Sequence, residues 1–369
     1  MNLITLAKEV AALAGYSITG TDNQSVNDKA RALRRINGIR SDIVSRFSGR
    51  WAGQYKEAWL PLVPVYADGT VDLTQGSRTV TGTTTAFTSA MVGRKLIGPD
   101  SSYYKIIAVA SGTSLTLSEP YQGATVLGAV YQIWKDEYTL YPDAFSIIDF
   151  INYIEPSQMV EFTNKYSRYL FPRATTNETP RLWTLVGRKQ NLPSYSTGTI
   201  SGTVNTRTIT GSGTTWFDNV QPGYEIMVTV GATTYCYHVL SVDSNTQITT
   251  VEDIAATINA ATSYVSRGRN ALIVRFLAPS SQTIVNYSYY SKVYPLVNDY
   301  DEDWLLELYP HLVIQGVQKW DYMDKNDPMR AGQAVQMYED AIHNAHVADA
   351  GQFGGTSTVG LNIPTIARE

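Results

Sequence analysis

His343 and His346 stand three residues apart in a stretch of helical periodicity, which puts both on one face. Two imidazoles at that spacing can share a metal ion if a further ligand joins them, and Glu339 lies four residues before His343. The plainer reading is a surface helix end, with cations near the last carbonyls. Cys236, the single cysteine, sits between Tyr235 and Tyr237 in strand-like sequence. It can close no disulfide within the chain, and no neighbour in sequence reads as a partner that would activate it. Glycoside hydrolysis needs two carboxylates across a cleft. Asp143 and Glu155 are available, but the sequence does not place them together. Asp299, Asp301, Glu302 and Asp303 lack EF-hand spacing and read as the acidic start of a helix. There is no Gly-x-Ser-x-Gly elbow, and the Gly-rich segments lack the Lys-Ser/Thr of a phosphate loop. The expectation is a protein that is not an enzyme, with no cofactor and no metal.

The chain has 369 residues, 43% hydrophobic and 17% charged, so it can bury a core but has a charge-poor surface. Its net charge of −4 argues against a dedicated nucleic-acid binder, which carries a basic surplus. Tyrosine, at 25 residues, suits both strands and protein–protein surfaces. Met1 to Gly15 is amphipathic and includes Lys8 and Glu9, so no signal peptide is expected. No apolar run approaches the roughly 20 residues that span a bilayer.

The chain states one pattern twice. Gly69-Thr70-Val71 and Gly198-Thr199-Ile200 open the two copies, and Arg78 to Gly82 matches Arg207 to Gly211. Thr85 and Phe87 answer Thr214 and Trp216, and Gly93 answers Gly223. Val109 to Thr116 and Val242 to Thr249 close them. Short alternating runs bounded by Gly turns predict antiparallel β units. Helical stripes lie at both ends. Leu3, Leu6, Val10 and Leu13 form one, with Gly15 as a stop, and Ser25 with Asp28 resembles a capping start. Leu33, Ile36, Ile43 and Phe47 form the next, with Arg31, Arg34, Arg35 and Arg40 mostly off it. These arginines read as a solvated face or as contacts for DNA phosphate or an acidic partner. Asp327-Pro328 starts a last helix carrying Ala331, Ala334, Tyr338, Ala341 and Ala345.

The expected fold is therefore α+β, a helical bundle from the N- and C-terminal segments with two inserted, mutually similar antiparallel β modules. Residues 1–60 are assigned to the bundle, 62–136 to the first module and 137–195 to a connecting α/β segment. In that segment Glu155-Pro156 is expected to begin a helix through Met159, Val160 and Phe162. Residues 196–267 form the second module, 268–298 a β hairpin and 299–350 the rest of the bundle. Residues 351–369 form a flexible tail whose Val359, Leu361 and Ile363 are expected to dock on a portal or other partner by strand addition.

Several segments carry a resemblance. They are Arg31 to Asn37, Tyr138 to Asp143, Leu272 to Pro279 with Val285 to Tyr290, and Asp301 to Pro310 leading into Gly316 to Trp320. With them, the chain resembles the head-to-tail adaptor (connector) proteins of short-tailed bacteriophages. The resemblance implies a structural virion protein at the head–tail junction, assembled in the bacterial host cytoplasm. Such proteins form a ring of copies, commonly dodecameric, under the portal protein. They line the channel of the passing viral DNA without reading its sequence, dock tail nozzle or tail fibre proteins, and touch no membrane. Two β modules exceed a minimal helical adaptor. A tail-fibre or receptor-binding protein is the rival reading, with Trp216 stacking on glycan, and a depolymerase or lysin the third. The adaptor reading expects change of Arg34 and Arg35 to Glu to impair DNA retention or portal attachment without unfolding the chain.

Overall fold

This computed structural model describes residues 1–15, 18–20, 22–46, 51–152, 157–161, 180–261, 264–276, 279, 281–325 and 327–352. The chain begins with α1 (Leu3–Ala14) and α2 (Asn23–Ser45) and enters β1 (Tyr55–Leu62). The first module holds β2 (Thr70–Leu73), β3 (Thr79–Thr83), β4 (Lys95–Ile97), β5 (Tyr103–Ser111), β6 (Ser114–Leu117), β7 (Val126–Ala129) and β8 (Gln132–Trp134). Then come β9 (Glu137–Thr139), β10 (Ala144–Asn152), β11 (Ser157–Gln158), β12 (Val160–Glu161) and β13 (Leu182–Asn191). The second module holds β14 (Thr199–Gly202), β15 (Thr208–Ser212), the short α3 (Trp216–Asn219), β16 (Glu225–Val230), β17 (Thr233–Ser244), β18 (Gln247–Thr250), β19 (Ile258–Ala261) and β20 (Tyr264–Arg267). β21 (Arg269–Phe276), β22 (Thr283–Ser291), α4 (Trp304–Leu308), α5 (Pro310–Asp324) and α6 (Pro328–Gln352) complete it.

The expected fold class is overturned. Among the described residues, strands take about 39% in four sheets, two of them half-barrels, against 28% helix in six helices. The centre is a β-sandwich that the sequence reading lacks. One sheet runs β1-β22-β10-β11 and the other β12-β13-β21-β9. Leu60, Leu62, Phe150, Val285 and Tyr287 of the first sheet bury against Tyr138, Trp183, Val274 and Phe276 of the second. Three expectations fail for this reason. Residues 55–60 are strand rather than helix, because Ala58, Leu60 and Leu62 point inward with period two. The helix expected through Met159 and Val160 is absent there: Val160 pairs with Leu182 and Glu161 with Trp183 as strand, while Pro156 and Phe162 lie outside the described residues. Residues 268–298 are no hairpin. β21 pairs with β13 and β9, β22 pairs with β1 and β10, and the chain crosses between sheets after Phe276.

The modules are insertions into the sandwich, one between β1 and β9 and one between β13 and β21. Each is closed at its base by a bridge, Tyr66 to Ile133 and Tyr195 to Ser266. Their strand orders are the same, β7-β2-β3-β6-β5-β4-β8 and β19-β14-β15-β18-β17-β16-β20. Their cores match position by position: Val80 and Ile209, Phe87 and Trp216, Tyr104 and Tyr237, Leu115 and Ile248. The opening glycines are fixed by sterics. At Gly69 (φ 72°) a Cβ would stand 2.3 Å from the Thr83 carbonyl oxygen, and at Gly198 (φ 87°) 2.5 Å from that of Ser212.

The helices of the two chain ends share one core, which includes Leu6, Ile36, Ile39, Leu305, Val313, Tyr338 and Ile342. Gly316 permits close packing of α5, since a Cβ there would lie 2.5 Å from Ile39. Charge assists. Residues 1–46 carry seven Lys/Arg and four Asp/Glu, a net of +3, while 299–352 carry three and eleven, a net of −8. α2 starts at Asn23 with Asp22 as its cap, its carboxylate accepting the Ser25 N–H at 3.2 Å, so Ser25 is not the cap. Gly15 (φ 81°) ends α1 as expected of a left-handed stop.

Candidate functional site

The groups most able to do chemistry gather where the helices, the sandwich and the second module meet. Asp301 is 0% exposed. Its Oδ2 accepts the N–H groups of Val297 (2.7 Å) and Asn298 (2.8 Å), and its Oδ1 accepts the Asp253 N–H of the second module (2.8 Å). The Asn298 amide returns a bond to the Asp253 carbonyl at 2.6 Å. Arg207 adds a bond to the Glu302 carbonyl at 3.1 Å and an ion pair with Asp253 at 3.3 Å. Asp303 caps α4 through the Leu306 N–H (3.0 Å) and pairs with Arg40 of α2. Burial, ahead of the neighbouring charges, pushes the Asp253 carboxyl above the usual carboxylate value, with Asp301 and Glu302 adding to it against Arg207.

A second knot ties the sandwich in. Asp143 takes Lys56 Nζ at 2.9 Å and the Tyr289 hydroxyl at 3.1 Å. Lys292 Nζ donates to the Pro142 carbonyl. His238 of the second module stacks on Tyr294 with ring centroids 4.0 Å apart, and Glu252 accepts its backbone N–H at 2.7 Å and faces its ring Nδ1. Burial, then Asp143, Glu252 and Glu225, holds the Tyr294 hydroxyl well above the ordinary tyrosine value. Between the knots lies a cleft of about 230 Å³ lined by Arg40, Lys56, Asp143, Arg207, Lys292 and Tyr294, among others. Among the described residues, the cleft that His238 lines has no Ser, Thr or Cys in its wall; Lys292 and Tyr294 stand there instead. The charges here hold three units together.

The sequence-singled residues are scattered. Arg31 and Arg34 are exposed on α2. Arg35 and Arg40 are not a solvated or DNA-facing pair. Arg35 is buried against Asp321 and Asp324, and Arg40, 2% exposed, is held by Asp303, Asn37 and the Tyr294 carbonyl. Their charge draws them to the acidic C-terminal helices, which the one-helix stripe could not show. Asp299 is spent on Lys29 at 2.6 Å, so the acidic run does not converge on a cation. Glu339 pairs with Arg46, and His346 packs edge-on against Trp51 at 5.2 Å. Among the described residues no group of three His, Cys, Asp or Glu could hold a metal. Cys236 keeps an accessible edge, yet burial and the nearby Glu225 and Glu252 push its thiol up to about 11, the reverse of activation. Glu155, Phe47, Val359, Leu361 and Ile363 lie outside the described residues.

Sequence reasoning missed Asn37, Asp253, His238, Tyr294 and Asn298. No local motif marks them, because each acts on a partner distant in sequence. Asn37, for example, exchanges two bonds with the Leu296 backbone at 2.8 and 2.9 Å. No described helix is long and apolar enough to cross a membrane. Compared with known proteins, the chain matches no family model and no curated sequence.

Proposed function

We propose that the chain is a structural virion protein, a head-to-tail adaptor that forms a ring under the portal, lines the DNA channel and docks tail nozzle or fibre proteins. The observation that carries this reading is the meeting of both chain ends in one helical unit at the base of the sandwich. The Ala52 N–H bonds the Asp349 carboxylate, so α6 ends beside the start of β1. The charges already paired at the junction support a holding role over a reactive one. Glycan stacking loses its residue, since Trp216 is 0% exposed inside the second module.

The test is to mix the purified chain with its portal and image the product by negative-stain electron microscopy. A ring seated on the portal is expected, and removal of residues 353–369 should leave the fold but abolish seating. A trimer that ignores the portal and binds host polysaccharide would sink the reading.

A further inference from the structure

Arg188 lies in β13, Arg269 opens β21 and Lys292 follows β22, yet all three line one cleft of about 520 Å³ between the sandwich and the second module. The module adds Glu225 and His238 to the wall. Gly223 brings the module close, since a Cβ there would stand 2.2 Å from the Asp143 backbone nitrogen. The matching corner of the first module is open. A Cβ on Gly93 would meet nothing within 4 Å, and Lys105, the counterpart of His238, is exposed.

Two of the cations are fixed in place by neutral groups. The Arg188 guanidinium donates to the Asn270 and Phe145 carbonyls, each at 3.0 Å. Lys292 Nζ donates to the Pro142 carbonyl and reaches that of Asn270 at 3.4 Å. Asn270 holds a left-handed φ of 55°, which asparagine tolerates, and its carbonyl serves both cations. Carbonyls orient a cation but leave its charge uncancelled. Burial first, then Arg188, holds the Lys292 ammonium below the usual lysine value, against Asp143 and Glu225. The carboxylates at hand are engaged elsewhere or shared. Asp143 holds Lys56 at 2.9 Å and Glu252 faces His238. Glu225 serves two guanidiniums, Arg267 at 3.2 Å and Arg269 at 3.5 Å. On a merely solvated face, like charges on long stems spread apart. Here they are gathered in a cleft and two of them are pinned, an arrangement that an anion from outside relieves.

We propose that this cleft binds a phosphate group. Arg188 and Lys292 each keep N–H donors beyond those the carbonyls take, and Arg269 is exposed beside them. Donors arriving from three separate strands suit a tetrahedral dianion better than a flat, singly charged carboxylate. Glu225 is the group the phosphate must compete with for Arg269. The cleft is larger than one phosphate. Phe145, 48% exposed, stands in its wall and offers an apolar surface to a sugar or base attached to it. The group can arrive as free phosphate or within a nucleic-acid backbone, since both present the same oxygens. Neither source needs copies of the chain to form a ring.

The experiment titrates the full chain with two probes at constant ionic strength: inorganic phosphate by calorimetry, and a labelled DNA duplex by fluorescence anisotropy. Saturable binding of at least one is expected. Arg269→Glu, an exposed change, should weaken it about ten-fold or more, because it sets a carboxylate where the anion sits. Glu225→Gln removes the competing carboxylate and should tighten binding several-fold, a gain that misfolding does not produce. Lys105→Gln, at the first module's matching strand position and outside the cleft, should change nothing. Duplex binding that follows these variants and is displaced by phosphate identifies the backbone as the source. Phosphate binding that follows them while the duplex is ignored identifies free phosphate. Saturable binding of neither probe, an Arg269→Glu variant that binds like the parent, or a Glu225→Gln variant that binds more weakly overturns the site. Equal losses in Arg269→Glu and Lys105→Gln would mark a diffuse charge effect and overturn it as well.

Discussion

Arg34 and Arg35 are neighbours in sequence and opposites in surroundings. Arg34 is exposed, and Arg34→Glu should leave the urea midpoint unchanged. Arg35 lies between Asp321 and Asp324. Arg35→Glu would bury a third carboxylate beside two others and should cost at least about 3 kcal/mol, against the expectation that both changes leave the fold intact. Denaturant titration of the two variants decides it. Asp301 is a stricter case, since three backbone N–H groups converge on it, one from the second module. Asp301→Ala leaves buried donors unpaired, and a loss of roughly 3 kcal/mol is expected from such groups. A variant as stable as the parent would show that water replaces the carboxylate. At this scale little was legible. A buried arginine and a surface arginine look alike along one helix, and only the acidic excess near the other end of the chain hinted at where Arg35 and Arg40 go.

Among the elements, the twin modules were the most legible, because their glycines, β-branched runs and aromatics repeat in order within each unit. Their shared core positions follow from that repetition. What the repetition could not show is that one module is fastened and the other free of the same contact. Gly93→Ala and Gly223→Ala test this. Both sites have φ of 86°, so each variant bears a left-handed penalty of about 1–2 kcal/mol. Only Gly223→Ala also drives a methyl into Asp143, so its loss should be clearly larger and its second module should open first to protease. Equal losses would refute the difference. The joint between α6 and β1 carries a pH signature. Burial pushes the Asp349 carboxyl above the usual carboxylate value, against the pull of the Ala52 N–H, His346 and Tyr309. The folded state then holds this proton more tightly than the unfolded chain. The stability it contributes is complete below the unfolded value and is lost as pH rises through the folded one. Asp349→Asn should therefore gain on the parent as pH rises upward from the ordinary carboxylate range. Urea midpoints at several pH values across that range measure it, and parallel curves would exclude the linkage.

For the whole molecule, the sandwich was the part the sequence hid. Its strands are split by the two insertions. Tyr55 pairs with Tyr290, and Thr139 with Ile273, so these strands share no local window with their partners; only the two-residue β11 lies close in sequence to the strand it pairs with, β10. The pattern within β1 was readable as alternation, but its sheet was not. The same topology makes the last prediction. The first module enters and leaves through Tyr66 and Ile133, which exchange both backbone bonds at 2.8 Å, so its ends are already side by side. Its core is its own. Replacing residues 66–133 by a short Gly/Ser turn should leave the sandwich and helices folded, with the main thermal transition little changed. The Lys95–Asp136 pair is the chief polar contact forfeited, and it is partly exposed. The second module enters just as neatly, through Tyr195 and Ser266, yet its removal should behave differently. It would strip Asp253 from Asp301, Arg207 from the Glu302 carbonyl, His238 from Tyr294 and Gly223 from Asp143. Asp301 and Tyr294 would be laid open and the helical unit would lose its seat on the β body. That deletion should lower the main transition markedly or yield insoluble protein. If calorimetry showed the two deletions to be equally mild, the second module would be an appendage like the first, and the junction would not be what holds the molecule together.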